Sequence, residues 1–198
     1  SVIESRVLAV PALGDNVKVI EAIEGQLVTK ASAWKPEILD GFVHPSENSD
    51  VLKLVVINRY QDSPPAIAFI RGFGLKSAAI ASTVAHDSHN IIAVGTSDQL
   101  LSQAINLLME SKGGLSIITP EAKHRLPLEV AGLMSTNSCE EVARAYETLN
   151  ELAKKSSCAL KSPYMTLSFM ALLVIPSLKL SDQGLFDGDT FSCTPLFQ

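Results

Sequence analysis

Short β-branched blocks dominate the chain from Val2 to Asn58: VLAVP, VKVIEAI and QLVTK, then the longer apolar run DVLKLVVINRY. Each has the length and composition of a strand rather than a helix. Between them WKPEILDGFVHPSENSD, Trp34 to Asp50, sets Pro36, Gly41 and Pro45 among polar residues and reads as a surface loop. Pro64 and Pro65 punctuate another turn, after which AIAFIRG is a further strand. AAIASTVA (78–85) and NIIAVG (90–95) are both compatible with buried strands, so the polar HDSH between them is their connection.

At Thr96 the period changes. TSDQ matches a capping box with Gln99 reaching back, and Leu100, Leu101, Ala104, Ile105 and Leu108 form one helical stripe. Lys112-Gly113-Gly114 should end that helix. GLSIITP is again strand-like, and PLEVAGLMS adds a short apolar piece. A second capping box, Ser138-Cys139-Glu140-Glu141, opens a helix whose stripe is Val142, Ala145, Tyr146, Leu149, Leu152 and Ala153, ending at Lys154-Lys155-Ser156. MTLSFMALLVIP (165–176) is too short to span a bilayer and reads as a buried core segment in which Met165, Leu167, Phe169 and Met170 are core. The tail has turn chemistry around Gly184 and Gly188 and a final strand candidate. The sum is one α/β (α+β) domain over 1–198: a mixed sheet with at least two amphipathic helices packed on it. Residues 1–71 are strand-rich, 72–198 form an α/β part, and no TIM barrel is present in this chain.

With 198 residues, 46% hydrophobic and 19% charged, the chain has the balance of a globular domain. A net charge of -5 and the lack of any basic run argue against nucleic acid and anionic membrane as partners. Cys139, Cys158 and Cys193 are odd in number and widely spaced, so neither a disulfide framework nor a metal knuckle follows from them. A reducing cytoplasm is the simplest setting. The chain starts without Met or a secretory leader, as if mid-stream.

Candidate chemistry concentrates in STVAHDSHNIIAVG (82–95). Neutral imidazole and carboxylate suit divalent metals, so His86, Asp87 and His89 are candidate ligands, with His86 and His89 as the pair. Positions i and i+3 of a strand face opposite ways, so both rings meet one ion only where the segment turns. Alternatively, Asp87 and Asn90 tie a turn together while the histidines bond to backbone. HxH, HExxH and the HxE/PCxxC pair of zinc deaminases are all missing. GFGLKS (72–77) lacks the Gly before Lys of a phosphate loop, and GLSIITP lacks the second Gly of a nucleophile elbow. His44 and His124 read as solvated. Lys76, just before the strand that delivers His86, is a candidate for the same rim.

GFGLK, IASTVAHDSHNIIAVGT, LPLEVAGLMS, PYMTLSFMALLVIPSLKLSDQGL and the closing PLF, in that order, resemble the C-terminal domain of the bacterial adenine deaminases of the amidohydrolase superfamily. The resemblance runs from about Val17 to the end, and VAHDSHNI is its most diagnostic piece. It departs at Ala78, where the family usually has Gly, and at Leu173, where Pro is frequent. It implies a parent enzyme that converts adenine and water to hypoxanthine and ammonia in purine salvage. Manganese or iron would sit in a TIM-like barrel preceding residue 1, and the assembly would be a homo-oligomer. None of the barrel's ligand motifs is in this sequence, so no catalytic residue is assignable here. The resemblance makes His86, Asp87, His89, Asn90 and Lys76 a candidate polar rim facing substrate or metal. Two other readings stay open: a structural turn in a packing and oligomerisation domain, and a free-standing metal- or small-molecule-binding module.

Overall fold

The structure, a computed structural model, describes residues 2–198. After a 3-10 turn at Ser5–Leu8 come β1 (Val10–Pro11), β2 (Val17–Ala22) and β3 (Thr29–Trp34). The short pair β4 (Ile38–Leu39) and β5 (Phe42–Val43) follows, then β6 (Leu52–Ile57), β7 (Ala66–Arg71), β8 (Ala79–Ser82) and β9 (Ile91–Gly95). The first helix, α1 (Asp98–Glu110), precedes β10 (Gly114–Ile118) and β11 (Lys123–Pro127). Helices α2 (Cys139–Lys155) and α3 (Pro163–Phe169) lead to the terminal strands β12 (Leu178–Ser181), β13 (Gly184–Asp187) and β14 (Ser192–Cys193).

Eight strands form one open sheet in the order β11-β10-β8-β9-β6-β7-β2-β3. It is mixed, because β2 runs parallel to β7 while the other neighbours are antiparallel. Alternation along the central strands divides the core. Leu54, Val56, Ile80, Ile92, Val94 and Ile117 pack with Leu149 and Ala153 of α2 and with Tyr164 and Leu167 of α3. On the opposite face Val55, Ile57, Ala79, Ala81 and Ala93 meet Leu101, Ala104, Ile105 and Leu108 of α1. Covering both faces is why these strands read as continuous apolar runs. The small sheets β1-β5-β4 and β12-β13-β14 lie beside the main one.

The mixed sheet and both amphipathic helices agree with the sequence pattern, and the main sheet does not close into a barrel. The second capping box is present: Ser138 accepts from the Glu141 N–H and the Glu141 carboxylate accepts from the Ser138 N–H. The first differs. Ser97 caps α1 by accepting from the Leu100 N–H, whereas Thr96 bonds back to Ala78 and Gln99 does not reach the cap. VLAVP became a turn and a two-residue strand, and QLVTK is extended only from Thr29, since Leu27 and Val28 are exposed. The 34–50 loop contains β4 and β5. Two elements escaped the pattern. β11 is an edge strand whose exposed Lys123, His124 and Arg125 conceal it, as charge on an edge protects against unwanted pairing. α3 begins with Pro163 in its first turn, and Met165 on it is 57% exposed rather than core.

Candidate functional site

The loop 83–90 leaves the sheet where β8 ends and returns where β9 starts. Ser82 bends the chain out of β8: its hydroxyl accepts from the Val84 N–H at 2.9 Å. Buried Thr83 then ties the loop base to two neighbours. Its N–H donates to the Gly114 carbonyl, while its hydroxyl accepts from the Gly114 N–H and donates to the Gly132 carbonyl. The His86 N–H donates to the Ser168 carbonyl at the end of α3, and the His89 N–H to the Ala85 carbonyl at 2.7 Å. His89 closes the turn with φ +52.

The His86 ring stacks on Phe169 with centroids 5.2 Å apart and meets His89 edge-on at 5.5 Å. Asp87 and Ser88 are exposed, whereas Asn90 is buried and accepts from the Arg59 N–H. Burial holds the His89 imidazole below its usual range, aided by neighbouring His86 and Arg59 and opposed by Asp87. Its Nδ1 is buried and has no hydrogen-bond partner among the described residues. A neutral ring therefore fits the fold better than a charged one. Because its folded pKa is depressed, the unfolded chain binds the proton more readily, and stability falls as pH drops below about 6.5. We expect His89→Asn, which tolerates the positive φ, to weaken this acid dependence in a pH series of thermal melts; an unchanged series would assign it to other groups.

His86, Asp87, Ser88 and Asn90 form one wall of a cavity of about 450 Å³. Apolar Leu173, Val174, Phe186 and Phe191 also line it. So does Asp182, in the turn between β12 and β13, held by the Asn58 amide at 2.8 Å. The structure thus brings His86, His89, Asp87 and Asn90 together at one end of the sheet. Lys76 stands apart from them. It precedes β8 while His86 follows it, so the strand separates them, and its N–H donates to the Ser156 carbonyl.

The metal reading of His86 and His89 finds little support in the donor set. No group of three His, Cys, Asp or Glu side chains among the described residues is placed to hold an ion. The turn reading holds in part: Asn90 does tie the loop down, but the histidines bond to backbone through their main-chain N–H groups rather than their rings. Sequence reasoning missed Asn58, Arg59, Thr83 and Asp182. Asn58 and Arg59 follow β6 and Asp182 follows β12, while Thr83 is the loop's own first residue, and no local spacing marks any of them.

Arg59 joins these segments. Its guanidinium donates to the Ala131 carbonyl, packs against Gly132 and lies 5.3 Å over the Tyr60 ring.

The sequence profile of the Adenine deaminase C-terminal domain matches residues 26–192. The chain is 50% identical over 190 residues to an adenine deaminase of Parabacteroides distasonis, covering 96% of this chain and 35% of that protein. It is 50% identical over 196 residues to one of Methanosarcina barkeri, covering 96% and 36%, and 51% identical over 182 residues to one of Methanosarcina mazei, covering 92% and 33%. The chain spans about a third of the length of these curated relatives. Its quoted motifs, its mixed sheet and this match over most of its length agree: the chain belongs to the adenine deaminase C-terminal domain family.

Proposed function

We propose that this chain is the C-terminal part of a larger hydrolase that converts adenine and water to hypoxanthine and ammonia in purine salvage, and that loop 83–90 forms a wall of its substrate chamber. The observation that carries the reading is the cavity of about 450 Å³, which joins the polar edge of the most diagnostic motif to apolar Leu173, Val174, Phe186 and Phe191. The divalent metal of such an enzyme, manganese or iron, would be held by an amidohydrolase barrel outside this chain; among the described residues no three His, Cys, Asp or Glu side chains are grouped to hold an ion. What this chain supplies is a surface that binds, orients and shields the base. A cytoplasmic setting accords with three free cysteines, of which Cys139 and Cys193 are exposed. Self-assembly into a homo-oligomer accords with exposed Ile38, Leu39 and Phe42 on the β4–β5 hairpin.

Steady-state deamination by the full-length protein tests the reading. His86→Ala and His89→Asn, each folded and metal-loaded, are expected to lower kcat/KM about a hundredfold. Unchanged kinetics with a lowered melting temperature would instead support the second reading, a structural turn. The buried Asn90 bonded to Arg59 and the Thr83 ties to Gly114 and Gly132 favour that alternative.

A further inference from the structure

Asp182, in the cavity wall, is held by Asn58. Asn58 follows β6, and its Oδ1 accepts from the N–H groups of Tyr60 and Gln61 at 2.9 and 3.0 Å. Those two bonds decide which way the amide faces, so Nδ2 is the end presented to Asp182 Oδ2, at 2.8 Å. The other carboxylate oxygen, Oδ1, has no protein partner among the described residues. A carboxylate fixed at one oxygen and free at the other is prepared to accept a hydrogen bond from a ligand. Asp87 also lines the cavity, and none of the lining residues is Lys or Arg. Phe186 and Phe191, edge to face at 5.3 Å, supply aromatic surface nearby.

An anionic ligand would meet two carboxylates here with no cation to offset them, whereas an uncharged base with N–H donors finds acceptors and an aromatic wall. We propose that Asp182 is a specificity-determining residue of this cavity: its free oxygen accepts an N–H of an uncharged heterocyclic base and turns away the same base carrying an anionic group. Asn58 is the positioning residue that orients it. The inference rests on the reading that the cavity belongs to the substrate chamber.

The test uses the full-length protein with adenine as substrate and two competitive inhibitors that differ by one negative charge, purine and purine-6-carboxylate. Asp182→Asn is expected to raise the KM for adenine about tenfold with little change in kcat, and to lower the ratio of the two inhibition constants, carboxylate over purine, about tenfold. Asp182→Glu keeps the charge and should leave that ratio within about twofold of the parent. Asn58→Ala, which frees the carboxylate without removing it, should raise the KM about threefold and supplies a second variant if Asp182→Asn does not fold. An unchanged inhibitor ratio in Asp182→Asn, with His86→Ala impaired, overturns the role of Asp182 and leaves the chamber reading standing. If His86→Ala, His89→Asn and Asp182→Asn all match the parent, both fall together. A shift of the same size in Asp15→Asn, at an exposed site outside the cavity, would reveal a general charge effect and also overturn the proposal.

Discussion

Asp98→Ala is expected to destabilise the fold by about 3–5 kcal/mol, the usual cost of removing one member of a buried ion pair. Lys53 lies on β6 among apolar neighbours and is fully buried. Its ammonium donates to the Leu8 carbonyl at 2.7 Å and to the Asp98 carboxylate at the start of α1. Burial pulls the Lys53 pKa down and Asp98 pulls it back up, with burial the larger influence. Without Asp98 the charge remains enclosed with one carbonyl for company. At roughly 2–4 °C per kcal/mol for a chain of this size, the melting temperature should fall by about 6–20 °C. The loss should shrink as pH rises toward the ordinary lysine value of 10.5, because deprotonation then removes the enclosed charge. Adding Lys53→Met should restore at least about half of the stability, since an apolar side chain needs no counter-ion. A loss below about 1 kcal/mol would show that water reaches Lys53 and that the pair behaves as a surface one.

Gly114→Ala is the second large effect, with an expected loss of about 3 kcal/mol or more. Gly114 opens β10 at φ +132, a conformation that side chains rarely adopt, and a Cβ there would collide with the Leu126 carbonyl oxygen on β11. The backbone on both sides is held in the sheet, so neither strand can move aside cheaply. Gly25→Ala isolates the conformational part. Gly25 has φ +68, and a Cβ added there would meet nothing within 4 Å, so only backbone strain of about 1 kcal/mol applies. Chemical denaturation of both variants measures the difference. Equal losses would mean that β11 peels away without penalty. Because Gly114 also bonds Thr83 through both its N–H and its carbonyl, Gly114→Ala should disturb the base of loop 83–90 as well.

The two amphipathic helices, the central strands and the HDSH connection were legible because each has its own local period or polar break: Leu101, Ala104, Ile105 and Leu108 recur at helical spacing whatever packs against them. Edge strand β11 was not, because exposed Lys123, His124 and Arg125 report the solvent beside the strand rather than its backbone pairing. The placement of Lys76 was misjudged for a related reason. Closeness in sequence to β8 says nothing about which end of the strand a residue occupies, and β8 puts Lys76 and His86 at opposite ends.

From residues alone came the family, the mixed α/β class and the polar loop His86 to Asn90, all of which depend on order and spacing along the chain. Tertiary structure alone decided that this loop forms a cavity wall with Asp182 and that Arg59 and Thr83 anchor it. Those properties arise where the ends of β6, β8 and β12 and the start of β10 meet, between positions as far apart as Asn58 and Asp182. A contact of that kind leaves no local period in the sequence, since it is enforced by the packing of the sheet rather than by the neighbours of either residue.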